Sequence, residues 1–167
     1  MTLRRQIVGS LETVPDLEWA AEARFRDAEA LLLGERFAGC VYLLGFACEM
    51  WLKLAAFRLM GAGPVARVAP MLGAARTWMA AHSPAIGHES YHSLQFWAQF
   101  VILRRAAQGR ALPAEVAGAL RHHVVRRLYE DWRVELRYRR VAVDERQAWR
   151  VYNDTSWLRA IRESLWR

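Results

Sequence analysis

The stretch that decides the fold is Phe37–Phe57, FAGCVYLLGFACEMWLKLAAF, the most apolar run in the chain. Within it Gly45, Glu49 and Lys53 stand four residues apart. Positions four apart lie on one face of an α-helix, one above another. The run therefore predicts a hydrophobic helix that carries a charged ladder. Glu49 precedes Lys53 by four residues, the favourable orientation for a helical ion pair. A buried carboxylate needs such a partner, because taking it out of water alone is costly. Two readings stand: an ion pair that fixes the packing of this helix, or part of a ligand-binding or active site. Glycine in a helix interior costs about 1 kcal/mol against alanine. The compensation Gly45 suggests is close approach by a neighbouring helix or loop.

Working outward, Pro15-Asp16 looks like a helix start with Asp16 as N-cap. Leu17, Ala21, Phe25, Ala28 and Leu32 then recur at helical spacing, and Gly34 ends the element. The central helix is expected from about Glu35 to Met60, closed by Gly61-Ala62-Gly63-Pro64. A short helix follows from Pro70 to about Ala81, and His82 to Ser90 reads as a loop. Ser90 or Ser93 could cap the next helix, whose apolar part is Leu94 to Leu103. Pro113 opens another, with Ala117, Leu120, Val124 and Leu128 as its buried stripe. Trp132 to Val141 reads as irregular or as a helix edge. The last helix begins near Asp144, and Ala148, Val151, Thr155 and Leu158 form its stripe. Its polar run Asn153-Asp154-Thr155-Ser156 is expected to interrupt it, since such side chains compete for backbone hydrogen bonds. No segment alternates with the period of a strand. The class is all-α: a flexible arm over 1–14 and one helical domain over 15–167.

With 167 residues and 54% apolar content the chain can bury a sizeable core and is not disordered. Its eight Trp residues supply either core or an aromatic contact surface. Met1–Ser10 lacks the apolar centre of a signal peptide. The charge-free part of the central run, Phe37–Cys48, falls short of the ~20 residues a membrane span needs. The expectation is a soluble, cytoplasmic protein with no membrane contact. Cys40 and Cys48, eight apart on one helix, would be separated by ~12 Å of rise, too far for a disulfide. No glycine-rich phosphate loop is present. His88 and His92 are four apart but lack the acidic residue of a zinc-protease motif, so neither a metal nor another cofactor is expected. The net charge of +7 is uneven. Residues 1–100 hold nine basic and nine acidic side chains, and residues 101–167 hold fifteen and eight. Such a one-sided excess points to an acidic partner, nucleic acid first.

Several of these residues together resemble a known family. Ala28-x-x-Leu31, Gly45-Phe46-x-x-Glu49-x-x-Leu52-Lys53, His92-Ser93-Leu94 and Arg137-Tyr138 are similar to the HEPN domain (higher eukaryotes and prokaryotes nucleotide-binding). The resemblance runs from about Ala20 to Trp166 and rests mainly on Gly45, Glu49, Leu52 and Lys53, with His92 as a further motif position. It implies an up-and-down bundle of five or six helices, commonly a homodimer. Family members often serve in defence or toxin–antitoxin systems, or beside a nucleotidyltransferase partner. Many are metal-independent ribonucleases with an Arg-x(4–6)-His motif late in the bundle. Arg137 is the natural candidate for that arginine, yet no His follows His123. The expected function is thus a non-catalytic or degenerate RNA- or nucleotide-binding module. The enzymatic alternative is a ribonuclease using Arg137, with Glu49 as a second candidate and a non-standard partner. The third is a protein-interaction module, using aromatics such as Trp157 and Trp166. Arg76 and His82 match the motif formally, but about two such matches are expected by chance from the arginine content.

The candidate RNA contacts are Arg126 and Arg127 beside His122-His123, and the aromatic–basic segment Arg137, Tyr138, Arg139 and Arg140. Arginine can hold phosphates while an aromatic ring stacks on a base. Alternatively, Arg137 turns inward to pair with Glu49.

Overall fold

A computed structural model describes residues 13–132 and 143–167. These residues form an all-α bundle of seven helices with no strand among them. The helices are α1 (Val14–Leu33), α2 (Phe37–Leu59), α3 (Val68–His82), α4 (Pro84–Gly87), α5 (Leu94–Ala107), α6 (114–131) and α7 (Glu145–Ile161). A 3-10 turn, Arg162–Leu165, follows α7.

The N-cap of α1 is Thr13, three residues before the expected one. Asp16 sits inside the first turn and reaches back. Its carboxylate accepts from the Thr13 N–H at 2.8 Å and from the Thr13 hydroxyl at 2.7 Å. Those bonds hold the Asp16 carboxyl below its ordinary pKa. Pro15 fits here because the first turn uses no N–H from it. Val14 is fully buried, and its N–H donates to Ala66 at 2.8 Å. Thr13 and Val14, expected to belong to the flexible arm, are thus tied into the bundle, and the rest of the expected arm lies outside the described residues.

The α1–α2 hairpin turns through Gly34, Glu35 and Arg36. Glu35 adopts φ 56°, the left-handed region, which delays the start of α2 from the expected Glu35 to Phe37. α2 is the centre of the bundle, packed against α1, α5 and α7. By length and composition it could cross a membrane, but 78% of its most apolar window is buried inside the fold. Neighbours on several sides cover its apolar surface. Cys40 and Cys48 are both buried and unpaired.

The stretch read as a loop after His82 contains one further turn, α4, opened by Pro84. α5 continues past the expected Leu103 to Ala107. Arg105 allows this by burying its stem, with its guanidinium donating to the Arg167 carbonyl at 2.5 Å. α6 changes register along its length: α-helical over Ala114–Ala119, π-helical over Leu120–Leu128, and α-helical again over Tyr129–Asp131. Asp144 caps α7, accepting from the Gln147 N–H at 2.7 Å, while the Gln147 side chain accepts from the Asp144 N–H at 3.0 Å. The polar run 153–156 does not interrupt α7, contrary to expectation. Asp154 and Thr155 turn into the core, where Asp154 finds partners on α6.

Of the tryptophans, Trp51, Trp97 and Trp132 are fully buried, whereas Trp19 and Trp149 are exposed. Trp157 and Trp166, expected as exposed aromatics, are half-buried: each packs one part against the core and keeps the rest at the surface.

Candidate functional site

Glu49 is almost completely buried near the middle of α2. The helical spacing brings Lys53 Nζ to 2.5 Å from Glu49 Oε1. A second partner comes from the start of α5. His92 Nδ1 lies 3.2 Å from Oε1 and 3.0 Å from Oε2 of the same carboxylate. Local chain chemistry sets the position of that histidine. Ser93 caps α5 by accepting from the Phe96 N–H at 3.1 Å, and its hydroxyl donates to Glu89. The His92 N–H donates to the Ser90 hydroxyl at 3.2 Å. Lys53 is itself buried, its Nζ 5.6 Å from the Trp97 ring centre, where the aromatic face favours a cation. Leu52 is core. The ladder in α2 is therefore one carboxylate held between a lysine and a half-exposed histidine.

Gly45, one turn earlier, lies directly under Trp132. A Cβ built on Gly45 would fall 2.2 Å from the indole ring. The ring meets Phe46 edge-on with centroids 5.4 Å apart, and its N–H donates to the Tyr42 carbonyl at 3.1 Å. Phe46 in turn presents an edge to His92. Next to Trp132, Asp131 is gripped by Arg150 of α7, with contacts from 2.7 to 3.1 Å. The end of α6 is thus fixed over the glycine.

A second buried carboxylate, Asp154, comes from the polar run that was expected to break α7. His123 Nδ1 stands 2.8 Å from Oδ1 and Arg127 Nε 3.3 Å from Oδ2. The signal was available: Asp154 falls three after Val151 and four before Leu158, on the buried stripe of α7. The π-helical register of α6 directs both His123 and Arg127 toward it. Cys48 sits near both carboxylates. Burial, and then the negative charges of Glu49 and Asp154, push its thiol pKa well above the usual value. Burial alone raises Cys40 to about 11. Neither cysteine is poised as a nucleophile.

The candidate RNA contacts divide. Arg127 turns inward to Asp154, whereas Arg126 is exposed. Arg126 joins Arg121 and His122 along a groove of about 420 Å³ between α5 and α6. Gln95 and Gln99 of α5 line its opposite wall, and neither they nor the two arginines have a polar partner among the described residues. Arg137, Tyr138, Arg139 and Arg140 lie outside the described residues. The formal Arg76–His82 match has separate local uses. Arg76 donates to the Glu89 carbonyl at 3.1 Å and covers the Tyr91 ring. His82 stacks on Trp78 and contacts its carbonyl at 2.8 Å. Among the described residues, no cluster of three or more His, Cys, Asp or Glu could hold a metal ion.

Compared with protein-family models, curated proteins and solved structures, the chain gives no match.

Proposed function

We propose that the chain is a HEPN-like RNA- or nucleotide-binding module that acts without catalysis, in a defence or toxin–antitoxin setting. The observation that carries this reading is the contrast between buried and exposed charge. Glu49 and Asp154 are neutralised inside the bundle, while Arg121 and Arg126 line an open groove without acidic partners among the described residues. Unpaired guanidinium groups on a chain of net charge +7 suit a phosphate backbone. The resemblance at Gly45, Glu49, Leu52 and Lys53 supports the same class.

A gel-shift or anisotropy titration with single-stranded RNA tests this. Binding is expected at low salt and should weaken as salt rises, because each phosphate contact releases counterions. Absence of binding at low ionic strength rejects the RNA reading.

A second reading, a metal-independent ribonuclease, draws support from two carboxylate–imidazole contacts, Glu49–His92 at 3.0 Å and Asp154–His123 at 2.8 Å. A carboxylate beside one ring nitrogen orients a histidine for acid–base work. RNA left intact by the purified protein, with and without divalent metal, counts against it. Pairing with a second copy or with a nucleotidyltransferase belongs to the same proposal. The exposed Trp19, Leu33 and Trp149 offer apolar surface for it, and light scattering tests self-association.

A further inference from the structure

The groove between α5 and α6 has a composition that a surface binding only phosphates would not need. Its walls include Ile86 from α4 and Val125 from α6, and its volume of about 420 Å³ lies within the roughly 300–1,000 Å³ of small-molecule sites. On the α5 side Gln95 and Gln99 are one helical turn apart, half-buried, and directed along the same wall. Each carboxamide carries a donor and an acceptor side by side, and neither has a protein partner among the described residues. On the α6 side Arg121 and Arg126 supply two guanidinium groups.

We infer that this groove holds one adenine nucleotide unit, its base between the apolar walls and against Gln95 or Gln99, its phosphate on Arg121 and Arg126. The N6–N7 edge of adenine presents one donor and one acceptor side by side, the pair a glutamine side chain matches in bidentate fashion, whereas the same edge of guanine presents two acceptors. A guanidinium matches two phosphate oxygens in the same way. A carboxylate ligand would satisfy the arginines and leave both carboxamides unused. A free phosphate would leave the apolar walls wet. The assignment rests on the RNA- or nucleotide-binding reading and names its site and its base.

Gly118 provides a clean test. It lines the groove, and a Cβ built there meets nothing within 4 Å. Gly118→Leu should therefore fill the groove without disturbing the fold, in a helix that favours leucine over glycine. Calorimetric titration of the full chain with AMP, GMP and inorganic phosphate is the measurement, with thermal melting as the folding control. AMP should bind at least tenfold more tightly than GMP or phosphate. Gly118→Leu should abolish AMP binding, and the double variant Gln95→Leu/Gln99→Leu should erase the preference for AMP over GMP. AMP binding no tighter than phosphate, or unaltered by Gly118→Leu, overturns the assignment. Titration of the same proteins with a single-stranded RNA separates the two claims. If AMP does not bind but RNA binds equally to the wild type and to Gly118→Leu, the groove proposal fails and the RNA reading survives. If RNA does not bind but AMP does, and Gly118→Leu removes the AMP, the RNA reading fails and the groove keeps its nucleotide.

Discussion

His92 meets Glu49 across 43 positions of sequence, its Nδ1 within 3.2 Å of both carboxylate oxygens. The contact ties the start of α5 to the middle of α2, two elements that Glu49 and Lys53 alone would not connect. The carboxylate is nearly sealed from water, while the imidazole stands about half exposed. Solvent therefore reaches the imidazole but not the carboxylate that orients it.

Removing Glu49 should destabilise the bundle more than removing His92. Glu49→Ala leaves Lys53 buried without its carboxylate, and breaking a buried pair from one side costs about 3–5 kcal/mol. Replacing both partners with apolar residues, Glu49→Leu with Lys53→Met, should recover most of that loss, because no uncompensated charge remains. His92→Ala removes a half-exposed partner and should cost about 1–2 kcal/mol. Urea unfolding of the four proteins at pH 7 measures the order. Equal stabilities for Glu49→Ala and the double replacement would contradict the ion-pair account.

Gly45→Ala should shift Trp132. The new methyl carbon would fall 2.2 Å from the indole, far inside contact distance, so the ring must leave its place over α2. Overpacking of this kind costs about 1–3 kcal/mol. Trp132→Ala should cost more, about 3–5 kcal/mol, through the cavity left behind. Near-ultraviolet circular dichroism and thermal melting report both effects. A fully native spectrum for Gly45→Ala would mean that the glycine serves no close approach.

These two relationships divide unequally between sequence and structure. The glycine, glutamate and lysine were legible because a single helix fixes their spacing, and local periodicity is written directly in sequence. That Gly45 needed a close neighbour followed from its helical cost, but the neighbour, Trp132, is contributed by a segment 90 residues away from its hydrogen-bond partner Tyr42. His92 and Asp154 were obscured for a similar reason: tertiary contacts assign their roles. Asp154 was misread because a polar run competes for the backbone in isolation, whereas in the bundle His123 contacts its Oδ1 and the Arg127 guanidinium faces its Oδ2 as an ion pair. The wide turn of α6 has no simple sequence signal, and it decides that Arg127 points inward and Arg126 outward. The segment that includes Arg137 lies outside the described residues, so its alternative pairing with Glu49 is set aside.

Stability should fall at alkaline pH, with the cysteines contributing. Burial raises the Cys40 thiol from 9.0 to about 11 and moves Cys48 in the same direction. The folded state therefore keeps these protons after the unfolded chain has released its own. Their stabilising contribution is complete below about pH 9 and is lost progressively as pH rises toward 11. Tyr152 acts in the same sense, its hydroxyl raised by its hydrogen bond to Glu29. Urea midpoints between pH 8 and 11 should decline, and less steeply for Cys40→Ala than for the wild type. Rapid labelling of native protein by a thiol reagent at pH 8 would show that the thiols are not protected as their burial requires.

Asp154→Asn should trade stability for RNA affinity. The substitution keeps the side-chain volume but withdraws the negative charge that holds Arg127 and His123 on the α7 side of α6. Both partners retain some solvent access, so neither is left as a sealed charge, and the loss should stay near 1–3 kcal/mol. Arg127 then becomes available beside Arg126, adding one cation to the exposed face. On single-stranded RNA each added phosphate contact steepens the dependence of log affinity on log salt by about 0.7. Asp154→Asn should therefore bind RNA more tightly at low salt with a slope steeper by that amount, and Asp154→Asn/Arg127→Gln should return both to the wild-type values. An unchanged slope in Asp154→Asn would mean that Arg127 cannot reach RNA from its place on α6, which would leave Arg121, His122 and Arg126 as the binding face among the described residues.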